Sequence, residues 1–263
     1  MYIHEYGSEE KPTIILLAPM LISGEELYKL ASPHFAGQYH IIAPDQGGHG
    51  RAGAYIGADE EYGELKRFLL ERGFRQISLL YGASLGGAVA YRLFLDSDFE
   101  VARLWFDSVM LSSNAPFLEW FTRNLFRKYK KRLVRKNYKV SDILIKMYGY
   151  DFARMMTKNF ERITPNDIDA ICYACSHYDL RELTDAEQKK MHFDFGDRDF
   201  DLKYSRKTIS AYMPEAELTI RKGYIHCGYM AAHPQEYVEQ IEAFIGNNEE
   251  RRIYNSSYSR IPD

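Results

Sequence analysis

Cysteine is scarce. Three among 263 residues are too few for a closed disulfide framework, and their low number fits a reducing cytosol. Long hydrophobic runs are missing as well. The longest near the start, Thr13 to Ile22, falls far short of the roughly 20 residues that a membrane helix needs. It follows Glu9, Glu10, Lys11 and Pro12 rather than the basic segment of a secretory signal. Neither sign of charge dominates: Lys plus Arg number 34 and Asp plus Glu 37. That balance argues against a nucleic-acid partner, which usually calls for a strong basic excess. There is no internal repeat and no low-complexity stretch. What is present is an ordinary globular mixture, 46% hydrophobic and 27% charged, in a chain long enough to bury a core without staples. The expectation is a cytoplasmic protein with no stable membrane insertion. Composition leaves the oligomeric state open.

Apolar, β-branched runs end abruptly at turn residues, as strands of a buried parallel sheet do. Lys11 to Ala18 stops at Pro19, and Tyr39 to Ala43 stops at Pro44. Gln76 to Tyr81, part of Val101 to Leu111, Met191 to Phe195 and Glu217 to Ile220 complete the set. Helical periods lie between them. Ser23 to His34 starts with a capping serine and Glu26 three residues on. Asp59 to Gly73 carries Tyr62, Leu65, Phe68 and Leu69 on one face. Leu85 to Asp96, Asp201 to Met213 and Pro234 to Phe244 follow. This alternation predicts an α/β fold with a mostly parallel central sheet flanked by helices. Residues 114–189 break it with helical patterns only. The expected domains are therefore a core of 1–113 and 190–246, a helical cap insertion of 114–189, and a polar tail of 247–263.

Gly82-Ala-Ser-Leu-Gly86 falls between a buried strand and a helix. A serine flanked this way sits on a tight turn that lifts its hydroxyl above the sheet, and the glycines let the two backbones pass closely. Ser84 is thus the candidate nucleophile. A serine hydroxyl needs a base, and the base needs an acid to hold its tautomer. With this turn the chain order is serine, acid, histidine. Phe195-Gly-Asp-Arg-Asp199 and Gly223-Tyr-Ile-His226 both follow late strands and fit that order.

These segments, with Ile42-Ala-Pro-Asp-Gln-Gly-Gly-His-Gly-Arg51 and Pro234 eight residues after His226, resemble the α/β-hydrolase superfamily from about Tyr6 to Ile245. The resemblance implies Asp199 as the acid, in preference to Asp197, and His226 as the base. It implies an oxyanion hole made by the backbone N–H groups of Leu85 and Met20. The loop bearing Met20 reads Ala18-Pro-Met20 instead of the usual His-Gly start, and Ala52 replaces the usual serine after Gly-His-Gly-Arg. No cofactor and no metal are implied. The expected partner is a small-molecule ester or thioester, cleaved through an acyl-enzyme. Acyl transfer, perhydrolysis, carbon–carbon bond hydrolysis and a non-catalytic ligand-binding role on the same fold are the alternatives.

Other residues have plainer readings. Asp107 is a secondary candidate for the acid. His49 is expected to hold its glycine-rich turn together. Cys172 and Cys175 are expected to pack in a helix, since zinc would need a second pair of ligands. The insertion carries Arg123, Arg127, Lys128, Lys130, Lys131, Arg132, Arg135, Lys136 and Lys139 around an apolar stripe, which reads as the solvated face of a lid helix, with attraction of an anionic substrate or weak docking to an anionic membrane as the alternatives. Phe117, Trp120 and Phe121 are expected to line an apolar substrate pocket.

Overall fold

A computed structural model describes residues 1–35, 37–134 and 139–258. In chain order the first half comprises β1 (Glu5–Tyr6), β2 (Thr13–Leu17), α1 (Gly24–Ala31), β3 (His40–Ile42), α2 (Ala58–Glu71), β4 (Gln76–Ile77), β5 (Leu79–Ala83), α3 (Gly86–Leu95), β6 (Glu100–Val101) and β7 (Leu104–Asp107). Helices α4 (Pro116–Val134), α5 (Lys139–Tyr148), α6 (Tyr150–Arg162), α7 (Pro165–Ser176) and α8 (Asp185–Gln188) come next. The chain then returns to β8 (Met191–Gly196), α9 (Leu202–Tyr212), β9 (Glu217–Arg221), α10 (Gly228–Ala232) and α11 (Pro234–Tyr258).

Seven strands form one sheet in the order β1-β3-β2-β5-β7-β8-β9. All neighbours pair in parallel except β1, which lies antiparallel on β3. The fold class is thus the expected one. β2, β5, β7 and β8 are buried throughout. Their side chains alternate between two apolar layers, as the period of 2 requires. Ile15, Leu17 and Leu80 pack with Leu65 and Leu69 of α2 and Val89 of α3. Ile14, Leu16 and Tyr81 pack with Leu27 of α1 and Tyr237, Val238 and Ile241 of α11. A sheet covered on both faces leaves its strand ends as the accessible place for chemistry.

Local expectations meet three corrections. The run Gln76 to Tyr81 is two strands: β4 pairs with β6 in a separate small ladder, and β5 begins at Leu79. β1 had no sequence signal, because two residues are too few for any period. Helix α11 does not stop near Phe244. It runs on to Tyr258, so most of the segment 247–263 is helical, while 259–263 lie outside the described residues. Glu249, Glu250, Arg251 and Arg252 are good helix formers and no proline interrupts them. The capping box of α1 forms as expected: Ser23 accepts from the Glu26 amide and Glu26 accepts from that of Ser23.

Candidate active site

The turn after β5 carries Ser84 at φ 45°, a left-handed conformation that costs a non-glycine residue on the order of 1–3 kcal/mol. Its amide still donates to the Asp107 carbonyl at 2.9 Å, so the ladder with β7 holds the turn from below. A Cβ on Gly86 would stand 2.2 Å from the Leu17 carbonyl oxygen, and one on Gly82 2.8 Å from the Ala90 Cβ. Only glycine lets β2, β5 and α3 approach this closely.

The loop after β8 supplies Asp199, whose side chain is fully buried. The loop after β9 supplies His226. Gly196 joins them: a Cβ there would meet the Tyr224 carbonyl oxygen at 2.1 Å. The Arg198 amide donates to that same carbonyl, and the Asp197 amide donates to the Arg221 carbonyl. Asp197 itself is exposed and its carboxylate accepts from the Gly223 amide, so it ties the two loops and does not touch the imidazole.

Ser84, Asp199 and His226, distant in sequence, meet here. His226 Nε2 is 2.8 Å from Ser84 Oγ, and Nδ1 is 3.1 Å from each Asp199 oxygen. With the proton on Nδ1, the imidazole donates to the carboxylate and offers Nε2 to the serine hydroxyl. Burial opposes charge on both partners. Their mutual attraction outweighs it, so the imidazole is held well above its ordinary value and the Asp199 carboxyl below its own. Such an arrangement can accept a proton from the serine as its oxygen attacks an electrophile.

Two further left-handed residues brace the group. Ser108, at φ 54°, accepts the amide of Cys227, at φ 50°, on its hydroxyl at 2.8 Å. The Cys227 thiol is pushed up to about 12, chiefly by burial, so it stays protonated beside the imidazole. Asp107 accepts from the Tyr81 hydroxyl at 3.0 Å and has no hydrogen bond to His226. Among the described residues, the Leu85 and Met20 amides donate to no backbone carbonyl. The Met20 loop is fixed from behind. Gln46 donates to the Ala18 carbonyl, and the Leu21 amide donates to Nε2 of buried His49, whose Nδ1 faces the Gly47 carbonyl. His49 therefore does the loop-holding task read from the sequence, and burial pulls its pKa down.

Phe117, Trp120 and Phe121 correct an expectation. They are 70%, 54% and 48% exposed on the outer side of α4, whose inward residues are Leu118 and Leu133. Periodicity found the helix but not which aromatic side turned inward. A narrow apolar cleft beside the site, about 20 Å³, is lined instead by Pro19, Ile22, Leu27, Phe152, Cys227 and Met230. Several α4 cations are structural: Arg123 pairs with Glu119, Arg127 with Asp169, and Lys130 donates to the carbonyls of Phe160 and Glu161. Arg135 and Lys136 lie outside the described residues. Cys172 and Cys175 are free thiols on α7.

Three residues near the imidazole were not anticipated. The Tyr148 hydroxyl, from α5, donates to the His226 carbonyl at 2.9 Å. Phe200 stacks on the imidazole with ring centres 5.7 Å apart. Asp201 brings a second carboxylate, with Oδ2 3.4 Å from Nδ1. Only Asp201 had a visible signal, as the third acid in Asp197-Arg-Asp-Phe-Asp201. Among the described residues, Asp199, Asp201 and His226 are the one group whose ligating atoms converge as a metal site would need, all within 4.8 Å. Only Asp199 is hydrogen-bonded to Nδ1, while Asp201 stands beside it at ion-pair distance.

No family model matches the sequence, and no curated protein matches it. Solved structures do. An esterase from Rhodococcus sp. ECU1013 superposes with a TM-score of 0.73 at 17% identity, covering 93% of this chain and 94% of that one. MenH from S. aureus gives 0.71 at 16% identity, over 94% and 99%. A bromoperoxidase from Bacillus anthracis gives 0.70 at 18%, over 93% and 94%. The likeness spans nearly the whole of each chain, and with the sheet order and strand-end turns described above it establishes that this chain has the α/β-hydrolase fold.

Proposed function

We propose that the protein is a serine hydrolase that cleaves a carboxylic ester or thioester through an acyl-enzyme. One observation carries the reading: a serine on a strained turn, an imidazole 2.8 Å from its oxygen, and a buried carboxylate on the far side of that imidazole. Ser84 Oγ attacks the carbonyl carbon while His226 Nε2 takes its proton. Asp199 holds the ring and stabilises its charged form. The Leu85 and Met20 amides receive the developing oxyanion, a contribution typically worth several kcal/mol of barrier. Collapse expels the alcohol or thiol, which leaves with the proton from His226. Water then repeats the sequence and frees the acid.

The helices from α4 to α8 form the cap in this reading. Support comes from α5, which bonds the His226 carbonyl through Tyr148, and from α6, whose Phe152 lines the apolar cleft. The apolar side of the substrate lies against this lining rather than against the α4 aromatics, and the cleft as it stands is narrow, so it takes only a short acyl or alcohol group. Among the described residues no helix is long and apolar enough to cross a membrane. Three free thiols accord with a reducing compartment.

The test is covalent labelling by a fluorophosphonate probe, alongside hydrolysis of nitrophenyl esters graded by chain length. The wild-type protein is expected to take one label and to hydrolyse a subset of the esters. Ser84→Ala is expected to lose the label and at least roughly 10³-fold in kcat. A well-folded wild-type protein that takes no label and turns over no ester would overturn the proposal in favour of a ligand-binding role.

A further inference from the structure

A three-residue relay leaves Asp201 without a task, yet its carboxylate is buried against the imidazole. The side chain is 7% exposed, and Oδ2 lies 3.4 Å from His226 Nδ1. Oδ1 is buried with no hydrogen-bond partner among the described residues. The ordinary use of an aspartate in this position would be to cap a helix. Asp201 is the residue preceding α9, but its side chain makes no cap bond. Its backbone does other work: the amide donates to Asp199 Oδ1 at 3.0 Å, and the carbonyl accepts from Tyr204 and Ser205. The two carboxylates are thereby clamped on one short loop, both facing one ring nitrogen. A buried, half-satisfied carboxylate is costly unless a partner compensates it. The one ion-pair partner that Asp201 has among the described residues is His226.

We infer that Asp201 is a second carboxylate for His226, a positioning residue that stands as an ion-pair partner beside Nδ1 and can take over the Nδ1 hydrogen bond when Asp199 is gone. This rests on the hydrolytic reading above. The groups around the cluster leave it the task. From the end of β7 comes Asp107, engaged with Tyr81. Cys227 lies beside the ring, Tyr148 reaches it from α5, and Cys175 and Tyr178 approach from the end of α7. Burial drives the ionisation of these thiols and phenols upward, so they remain neutral and supply no competing charge. Burial also pushes the Asp201 carboxyl up to about 7, against the pull of His226 and with the push of Asp199. Its charge therefore changes within the range in which a hydrolase of this kind works. Ionised Asp201 favours the imidazolium, and so moves the neutral, active form of His226 to higher pH.

The experiment compares Asp201→Asn, Asp199→Asn and the double variant. It reads kcat/KM for nitrophenyl acetate across pH, and the titration of the His226 ring by NMR, which needs no turnover. Removing the Asp201 charge is expected to move both the acid limb and the ring titration to lower pH by about half a unit or more. Asp199→Asn is expected to lose no more than about 10²-fold, and the double variant roughly 10⁴-fold, the loss seen where a relay has one acid. Asp201→Ser serves as a second variant should Asp201→Asn fail to fold. An unmoved ring titration in a folded Asp201 variant overturns the inference. So does Asp199→Asn falling as far as the double variant. A wild-type protein that hydrolyses no ester while its ring titration still shifts on Asp201→Asn sinks the hydrolytic reading and leaves the paired carboxylates standing.

Discussion

At the scale of single residues, the site depends on atoms that are missing as much as on those present. Gly196 has no Cβ, and that absence lets the loop bearing Asp199 touch the loop bearing His226. Gly196→Ala puts a carbon 2.1 Å from the Tyr224 oxygen, backbone against backbone, where nothing flexible can yield. The substitution is expected to cost about 1–3 kcal/mol of stability and to part His226 from Asp199, so denaturant midpoint and kcat fall together. Gly53→Ala, where a Cβ meets nothing within 4 Å, is the matched control and should leave both unchanged. An equal effect at the two glycines would show that steric approach is not the cause. Ser84 stands out by its own local pattern, a serine between close-packing glycines at a strand end, whereas Asp199 and His226 are picked out by resemblance, and the structure brings the three together. Tyr148 and Phe200 were not legible in the sequence. Nothing around them marks contact with a ring that the chain reaches only many residues later.

Among the elements, those with a full period could be read and the shortest could not. α1, α2, α3 and α9 lie where their apolar spacing put them, and so do the buried strands. β1, β4, β6 and α10 have too few residues to show a period. α4 was found, but its aromatic residues were assigned to the wrong side. An amphipathic pattern says that one face is buried, while the partner that buries it is decided by α6 and α7, elsewhere in the sequence. The turn from Asp45 to Arg51 illustrates how an element works through another. Its His49 and Gln46 hold the loop that carries Met20, whose amide is an oxyanion donor in the proposed mechanism. His49→Leu leaves the Leu21 amide without its acceptor. It is expected to lower kcat by about 10- to 10²-fold with KM within about threefold, as loss of an oxyanion donor does. Steady-state kinetics on a short ester checks this. A KM effect with unchanged kcat would mean that the loop shapes binding only.

For the molecule as a whole, the groups that prepare chemistry also set its response to pH. Buried Glu61 and Asp201 carry carboxyl groups pushed to about 7, in both cases mainly by burial. A carboxyl whose value is raised on folding stabilises the fold fully below its unfolded value near 4, and that stabilisation is lost as pH rises towards 7. His226 acts in the same sense, since its raised value adds stability below about 6.5 that disappears as pH climbs through the folded value. Asp199, Asp96, Glu25 and Glu187 are lowered and withdraw their support only in acid. The melting temperature is therefore expected to be higher at pH 5.5 than at pH 8 by roughly 5 °C, as calorimetry would show. A higher value at pH 8 would mean that these groups are not held as the burial implies. Hydrolysis needs a neutral ring, so turnover and resistance to heat should peak at opposite ends of this range.

The start of α4 and the end of α7 lie at one spot: the Tyr178 amide bonds the Ser112 carbonyl, and the Ala115 amide that of Ser176. Beyond this stem the segment is fastened to the body by Asn159 on the Leu21 carbonyl, Asp167 on the Tyr55 amide and Tyr148 on the His226 carbonyl, and by apolar packing of Met156, Phe160, Ile163 and Ile168 into the core. On the hydrolytic reading proposed above, a change of length between those stem residues would alter what enters the pocket, while the Ser84, Asp199 and His226 loops keep their own ties to one another.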